Sequence, residues 1–151
     1  MLSTIADFAS LLLMSLVVGA MFAVWLIFNP SGLDAATYVT QQQHAIRTLN
    51  VVMPLLGLVT LLATIASAML ARGDHMRLAL IAAAGVCLLA AGLITRFLNQ
   101  PINAIVSEWT TAWQAENWTQ LRDAWWRWHV VRLGAGLGGL SLMIAATLSK
   151  A

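Results

Sequence analysis

The segment that decides the fold is "LALIAAAGVCLLAAGLITRFLNQPINAIV", residues 78–106, in which an apolar run passes directly into a polar one. Residues 78–95 carry no charge, and as a helix they would cover about 27 Å, close to the thickness of a bilayer's hydrocarbon core. Helices of a soluble core carry a polar face, which this run lacks. Three more runs are nearly free of charge, at residues 5–28, 51–71 and 130–148. The sequence therefore predicts a bundle of four transmembrane helices.

The composition is typical of a membrane protein and excludes other classes. Of the 151 residues, 60% are hydrophobic and 9% are charged, whereas soluble domains carry about 25% charged residues. The formal net charge of +2 and the lack of a basic run exclude a nucleic-acid partner. The first run lacks the basic segment of a signal peptide and contains Asp7, so we interpret it as a retained helix. We expect one all-α integral membrane domain over residues 1–151, multi-pass in a bacterial inner membrane, with the lipid bilayer as its partner.

The connections between the four runs differ in length. Residues 71–77, "ARGDHMR", predict a tight turn around Gly73 and Asp74. Two longer polar segments, residues 31–50 and 96–132, lie on the other face, because an even number of spans brings alternate connections to the same side. Pro54 is the only interruption of a predicted helix over 35–71, so we expect a kink there, and Pro101 predicts a similar break. The long segments therefore predict helical extensions on one membrane face.

Tryptophan is concentrated on this face. Six of the seven tryptophans lie between Trp109 and Trp128, and the spacing of Trp109 and Trp113 predicts an amphipathic tryptophan-rich helix. Indole rings prefer the headgroup level, where the N–H can reach water. Two interpretations stay open, namely an interfacial belt and the wall of a pocket for a flat apolar molecule.

Small residues recur in the fourth span. Gly134 and Gly138 are four residues apart, as are Ala135 and Gly139. This spacing lets helices approach closely in lipid. We expect the flank to pack inside the bundle, and the alternative is a homo-oligomer or a contact with a partner membrane subunit.

Polar residues follow three helices on the face of the long segments. Residues three or four positions apart share one side of a helix. Three stripes result: Arg96, Asn99 and Asn103; His44, Arg47 and Asn50; and Arg122, Trp125, Trp126, His129 and Arg132. Converging cations and amides under aromatic rings are typical of a ligand site. The candidate substrate-binding residues are Arg96, Asn99, Asn103, Arg122, Trp125, Arg132 and Arg47. The structural alternative is that the asparagines satisfy carbonyls freed by Pro101, while Arg132 reaches the headgroups.

His44 and His129 are the candidate catalytic residues, because imidazole is the side-chain base that titrates near neutrality. Either could act as general base while arginines and asparagines hold an anion such as an enolate. The two histidines could instead ligate a haem or a metal ion. Zinc needs three or four ligands, and the third histidine, His75, lies in the turn on the opposite side. The cofactor stays open: none for the base mechanism, haem or metal for the alternative.

Two motifs give the chain a resemblance to a known family. The element "NQPIN", residues 99–103, ends the third span, and "LRDAWWRWHVVR", residues 121–132, leads into the fourth. Together with the four spans and the long loops, they resemble the anthrone oxygenase-like membrane proteins across nearly the whole chain. Fungal members of that family resemble cofactor-independent oxygenases, which deprotonate an anthrone so that the carbanion meets dioxygen. The resemblance therefore implies an oxygenase-like activity and leaves the substrate open.

We therefore expect a small membrane enzyme, oxygenase-like or an oxidoreductase, that acts on a hydrophobic aromatic small molecule. His129 would be the base and the tryptophans the wall. Arg132, Arg96, Asn99 and Asn103 would form a polar clamp. The competing class is a non-catalytic membrane subunit that binds haem, metal or lipid within a larger complex.

Overall fold

The computed structural model describes residues 1–149. Its elements in chain order are α1 (Leu2–Ile27), a 3-10 turn (Pro30–Gly32), α2 (Ala35–Leu49), α3 (Val52–Leu70), α4 (His75–Ile94), a π-helical turn (Thr95–Asn99), α5 (Gln100–Ser107) and α6 (Trp118–Leu148). Within the described residues no strand forms, and one isolated bridge joins Thr110 and Trp113. The all-α prediction is confirmed.

Short acidic side chains set where two of the helices begin. Asp34 accepts a hydrogen bond from the backbone N–H of Thr37 over 3.0 Å and caps α2. Asp74 accepts from the N–H of Arg77, also over 3.0 Å, at the start of α4. Each carboxylate satisfies a donor that the first turn of a helix leaves unpaired. Pro30, which cannot continue α1, opens the 3-10 turn.

The four long helices form a ring. α1 packs against α3 and α6, and α4 packs against the same two helices. Their shared core contains buried apolar side chains such as Met14, Ile81 and Met143. A second apolar cluster, built around Tyr38 and Trp125, joins α2 and α5 to the first turns of α6. This second cluster covers one end of the ring and positions the site described below.

Four segments are long and apolar enough to cross a membrane: Leu2–Gly32, Val52–Leu70, His75–Ser107 and Trp118–Leu148. Large apolar side chains such as Leu12, Leu62 and Val86 are exposed on their outer faces, as contact with lipid requires. The predicted bundle of four transmembrane helices is confirmed, and the chain is a multi-pass integral membrane protein. The last two segments extend beyond the predicted spans 78–95 and 130–148, because their polar ends continue as helix.

A buried ion pair joins α1 and α4 near the tight turn. Arg77 donates through Nη2 to one carboxylate oxygen of Asp7, and the hydroxyl of Ser67 donates to the other. Both charged side chains are about 7% exposed. Charges inside an apolar bundle need such partners, so the contact ties α1, α3 and α4 together. The sequence analysis did not predict this pairing.

Pro54 acts differently from the prediction, whereas the break predicted at Pro101 is observed, because α5 begins at Gln100 with Pro101 in its first turn. Instead of a kink at Pro54, the helix breaks earlier, since α2 ends at Leu49 and α3 begins at Val52. Pro54 then lies in the first turn of α3, where its missing N–H has no helical partner to lose. Before Pro101 the helix widens, because the N–H of Gln100 donates to the carbonyl of Thr95 five residues earlier. Such π-helical turns are frequent at functional sites.

The predicted helical placement of Trp109 and Trp113 was wrong. Both lie in the connection between α5 and α6, where Thr110 and Trp113 exchange backbone hydrogen bonds of 3.0 and 3.2 Å. The hydroxyl of Thr110 also accepts from the N–H of Trp113 over 3.0 Å. These local bonds compete with helix formation. The tryptophan-rich helical part of this face is the start of α6, from Trp118 to Trp128.

Close helix approach occurs at Gly136 and Gly139. A Cβ added to Gly139 would lie 3.1 Å from the carbonyl oxygen of Ala84 on α4, and one added to Gly136 would meet an α1 side chain at 2.6 Å. At Gly134 an added Cβ would meet nothing within 4 Å. Packing inside the bundle is therefore confirmed for Gly139, whereas Gly134 does not take part in it.

Candidate functional site

A cavity of about 290 Å³ lies where α2 and α5 cover one end of the ring. Apolar side chains from α1, α3 and α4 form much of its wall. Polar groups also line it: Gln42, Asn50, Thr95, Arg96, Gln100, Asn103 and Arg132, together with the indole of Trp125. A mainly apolar wall with a few convergent polar groups is typical of small-molecule sites.

Asn103 on α5 is the centre of a hydrogen-bond network in this wall. Its amide oxygen accepts from the indole N–H of Trp125 over 2.9 Å and from the side-chain amide of Gln42 over 3.2 Å. Its amide nitrogen donates to Oδ1 of Asn50 over 3.0 Å. One side chain thus connects α2, the turn before α3, α5 and α6.

Trp125 determines which way these amides point. An indole N–H can only donate, so the atom of Asn103 that faces it must be the oxygen. Gln42 must then present its nitrogen to the same oxygen. This leaves Oε1 of Gln42 buried with no hydrogen-bond partner in the described part of the chain. A buried acceptor of this kind is satisfied when a water or a ligand donates to it.

Arg132 projects from α6 into the cavity wall. Its Nη1 donates to the hydroxyl of Thr95 over 3.2 Å, and Nη2 and Nε lie 2.9 and 3.2 Å from Nδ1 of His129. Its Cζ lies 6.0 Å from the ring centroid of Trp125, within the range of a cation–π interaction. The guanidinium is therefore held by neutral groups on three sides.

His129 is fully buried behind Arg132. Its Nε2 lies 3.1 Å from the carbonyl oxygen of Met21, which can only accept, so Nε2 carries the proton. Arg132 can only donate, so Nδ1 provides the lone pair. Both neighbours select the same neutral tautomer. The rings of Trp125 and Trp126 stack against the imidazole, with centroid distances of 5.5 Å each.

The cavity wall has positive charge that is not balanced by an acid. Arg96 and Arg132 line the cavity, and no Asp or Glu among residues 1–149 does. The two ion pairs of the described residues are Arg77 with Asp7 and Arg122 with Asp123, and neither includes a cavity arginine. A cation without a counter-ion in such a wall favours a ligand with a negative charge.

One protein-family model matches the part of the chain that contains this cavity. The model of the anthrone oxygenase family matches residues 42–142, two thirds of the chain, and this range includes the residues of α2, α5 and α6 that form the network. The chain belongs to the anthrone oxygenase family. The predicted resemblance is thereby confirmed. No curated protein and no solved structure matches the chain.

In this anthrone oxygenase family member, four predicted site residues line the cavity: Arg96, Asn103, Trp125 and Arg132. Asn99 lies behind the wall, where its amide nitrogen donates to the carbonyl of Trp125 over 3.0 Å. Its Oδ1 is buried without a partner in the described chain. His129 lies behind Arg132 and does not itself form part of the wall.

The structure does not bring the predicted His44 and Arg47 to the cavity. Both are exposed on α2, where they line a separate shallow depression. Their spacing with Asn50 predicts a shared stripe, but the buried face of α2 carries Tyr38, Val39 and Gln42 instead. Packing of that face fixes the rotation of α2 and turns the two predicted residues outward.

Arg122 also lies outside the cavity wall. Its Nε donates to the carboxylate of Asp123 over 2.8 Å, and its Cζ lies 5.0 Å from the ring centroid of Trp118. Nearby, Tyr38 is fully buried and its hydroxyl has no hydrogen-bond partner within the described residues. Burial raises the pKa of Tyr38 above its ordinary value, although the charge of Arg122 opposes the rise. The phenol therefore stays neutral and cannot serve as a base.

Sequence reasoning missed Gln42 and Gln43. Gln42 lines the cavity, and Gln43 donates to the carbonyls of Val106 and Trp109 over 3.0 and 2.8 Å, which holds α2 against the end of α5. The spacing of Gln42 and Asn50 could have indicated that Gln42 belongs to the site, because residues two helical turns apart share a face. The polar tract "QQQH" conceals it, since every side of α2 is polar there.

The residues present do not fit a metal or haem site. Within residues 1–149, no three His, Cys, Asp or Glu side chains are grouped so that they could hold a metal ion. Both ring nitrogens of His129 are hydrogen-bonded, and His44 is exposed on α2. An axial ligand needs a free ring nitrogen, which His129 lacks while Arg132 contacts it, and His44 does not line the cavity.

Proposed function

We propose that this protein is a membrane oxygenase that acts on a flat hydrophobic aromatic ketone of the anthrone class, with dioxygen as second substrate. The observation that supports this function is the contact between Arg132 and His129. The guanidinium of Arg132 takes part in neither ion pair of the described residues. It contacts the neutral imidazole of His129 at the wall of a mainly apolar cavity. The family name suggests the anthrone, and Arg132 in the wall with His129 behind it would be the groups that its deprotonation needs.

The reaction balances without a cofactor. Loss of a proton from the methylene carbon of an anthrone gives an enolate, whose charge is shared between oxygen and carbon. The carbon forms a bond to dioxygen, the peroxide anion takes the abstracted proton back from the protein, and the hydroperoxide then loses water to give the quinone. Each anthrone thus consumes one dioxygen and yields one quinone and one water. The protein has to stabilise the enolate and accept the proton.

Arg132 is the group that would bind the enolate oxygen. Hydrogen bonds from a guanidinium to an anionic oxygen are roughly twice as strong as those between neutral groups. An apolar wall strengthens them, because the local dielectric constant is lower than that of water. Arg96 provides a second positive charge in the same wall. The two arginines would therefore lower the free energy of the anion more than that of the neutral ketone.

His129 would take the proton at Nδ1. Met21 holds the proton of the neutral ring at Nε2, so the basic lone pair points to Arg132. While Arg132 donates to this lone pair, the imidazole is a poor base. When the guanidinium turns to the developing enolate, the lone pair becomes free. The same movement of Arg132 would then stabilise the charge of the enolate and free Nδ1 of His129 to accept the proton.

The remaining cavity residues would orient the substrate. The indole of Trp125 is fixed by Asn103 at its N–H and by Asn99 at its backbone carbonyl. A flat ring system could stack against such an indole face. Oε1 of Gln42 could accept a hydrogen bond from a hydroxyl of the substrate. His44, Arg47 and Arg122 have no part in this proposal, because their side chains lie outside the wall.

Non-catalytic binding of an anionic lipid is the second candidate function. Two arginines above an apolar lining would also suit the charged headgroup and chains of a lipid. The two functions differ in turnover, because a bound lipid consumes no dioxygen.

The test is oxygen uptake by purified protein in lipid nanodiscs supplied with anthrone, corrected for uptake by empty nanodiscs. We expect uptake above this background, an unchanged rate after treatment with a chelator, and no Soret band. Arg132→Gln and His129→Gln should each lower the rate by about 10²-fold, as loss of an oxyanion-stabilising group or of a general base does. Arg127→Gln is the matched control, because Arg127 lies on the same helix but contacts Trp128 away from the cavity. Uptake equal to the background, with phospholipid retained by the wild type but not by Arg132→Gln, would favour the lipid-binding function.

A further inference from the structure

α3 and α4 touch near their midpoints but leave a gap farther from their connection. A Cβ added to Gly85 of α4 would lie 3.6 Å from Cγ2 of Thr64 on α3, an ordinary contact. Gly57 and Gly92 each lie seven residues farther from the connection, which is about two turns and about 10 Å along each helix. A residue two turns away lies on the same face of the helix. In this antiparallel pair, Gly57 and Gly92 therefore lie opposite each other.

Neither glycine is packed tightly against another helix. A Cβ added to either one would meet nothing within 4 Å, and both glycines line the cavity. They differ from Gly139, where an added Cβ would press against the backbone of α4. Close packing therefore does not require glycine at either position. A glycine at each position therefore leaves room in the cavity wall that a larger side chain would take up.

The exposure of the wall indicates where this opening leads. Cavity residues from α1, α2, α5 and α6 are buried or half-buried. The exposed ones all belong to α3, α4 and the π-helical turn: Leu58, Leu89, Gly92 and Arg96. Leu58 is 53% exposed and Leu89 is 47% exposed, both within apolar helices that are long enough to cross the membrane. The cavity is thus open on the side that faces the lipid.

We propose that the gap between Gly57 and Gly92 is a lateral opening through which a hydrophobic substrate passes from the bilayer into the cavity. The proposal rests on the function given above, since it concerns the route to the same cavity. A flat aromatic molecule dissolves in the lipid, so access from the lipid avoids transfer through water. Leu58 and Leu89 form apolar sides of the opening, and Arg96 at the rim would attract an anionic or polar edge of the molecule.

The experiment measures binding kinetics with a fluorescent probe, anthracene-9-carboxylate, which combines three flat rings with one negative charge. Protein in nanodiscs is mixed rapidly with the probe, and energy transfer from tryptophan reports occupancy. The variants are Gly57→Leu, Gly92→Leu and the double variant, all checked for folding by circular dichroism. Gly19→Leu is the matched control, because Gly19 is also an exposed membrane glycine with open space around it but does not line the cavity.

The double variant should bind and release the probe at least ten times more slowly, while its equilibrium affinity changes less than threefold. A blocked route slows both directions equally, whereas an altered binding surface changes the affinity. Unchanged rates in the double variant, or an affinity loss above tenfold, would overturn the lateral opening and leave the proposed function intact. Wild-type protein that does not bind the probe, together with background oxygen uptake, would overturn both.

Discussion

The indole N–H of Trp125 lies 2.9 Å from the amide oxygen of Asn103, and this contact orients the amides around it. Asn103→Leu removes the acceptor of Trp125 and Gln42 and the donor to Asn50. We expect it to lower the free energy of unfolding by about 1–3 kcal/mol, because buried donors are left unpaired. Oxygen uptake with anthrone should be lost as well.

Asn117→Leu is the control, since Asn117 is exposed and its side chain does not cap α6. Equal behaviour of the two variants would contradict a role of the network.

The buried ion pair between Asp7 and Arg77 should be important for folding although neither residue lines the cavity. Asp7→Leu leaves the guanidinium of Arg77 inside the bundle without its carboxylate. We expect the free energy of unfolding to fall by about 3–5 kcal/mol. The double variant Asp7→Leu/Arg77→Leu should recover part of this loss, because it removes the uncompensated charge. Unfolding in denaturing detergent measures both changes.

The comparison for this prediction is the pair of Arg122 and Asp123, in which the acidic partner is exposed. The side chain of Asp123 is 61% exposed, so water already solvates its charge. Asp123→Ala should change the free energy of unfolding by less than about 1 kcal/mol. A loss equal to that of Asp7→Leu would show that burial does not determine the strength of these pairs.

Gly139 should tolerate no side chain. Its added Cβ would lie 3.1 Å from the backbone oxygen of Ala84, which cannot move without displacing α4. We expect Gly139→Leu to lower the free energy of unfolding by about 1–3 kcal/mol, as overpacking does. Gly134→Leu on the same helix has open space and should leave stability unchanged or raise it, since leucine favours helix more than glycine. Equal losses for both would contradict the difference in packing and would indicate an interface at Gly134.

Stability of α2 should depend on pH through Asp34. The hydrogen bond from the backbone N–H of Thr37 lowers the pKa of Asp34 below its ordinary value of 3.8. A lowered pKa in the folded state stabilises the fold above the ordinary value, and this contribution is lost as the pH falls through the folded-state pKa. Hydrogen exchange of the first amides of α2, corrected for intrinsic rates, should therefore accelerate between neutral pH and pH values below 3.8. Asp34→Asn keeps a capping oxygen and should show little of this change. Equal pH dependence in both proteins would contradict the assignment.

Much of the fold could be predicted because its signals are local. Charge-free runs long enough to cross a bilayer identify four helices, and the even number of spans places both long segments on one face. The site could be predicted in part. Arg96, Asn103, Trp125 and Arg132 line one cavity, but the spacing of His44 and Arg47 suggests a convergence that does not occur. A stripe on one helix does not tell which way the helix is rotated.

The sequence by itself determined the class of protein, the number of spans and the family, because hydropathy, length and the two short motifs are properties of contiguous residues. Only the tertiary structure decided that α2 turns Gln42 inward and His44 outward, and that His129 lies behind Arg132. It also decided that Gly57 and Gly92 have open space around them while Gly139 is packed tightly. These relationships depend on the rotation and register of whole helices. Both are set by the packing of side chains far apart in the chain, which no short stretch of sequence encodes.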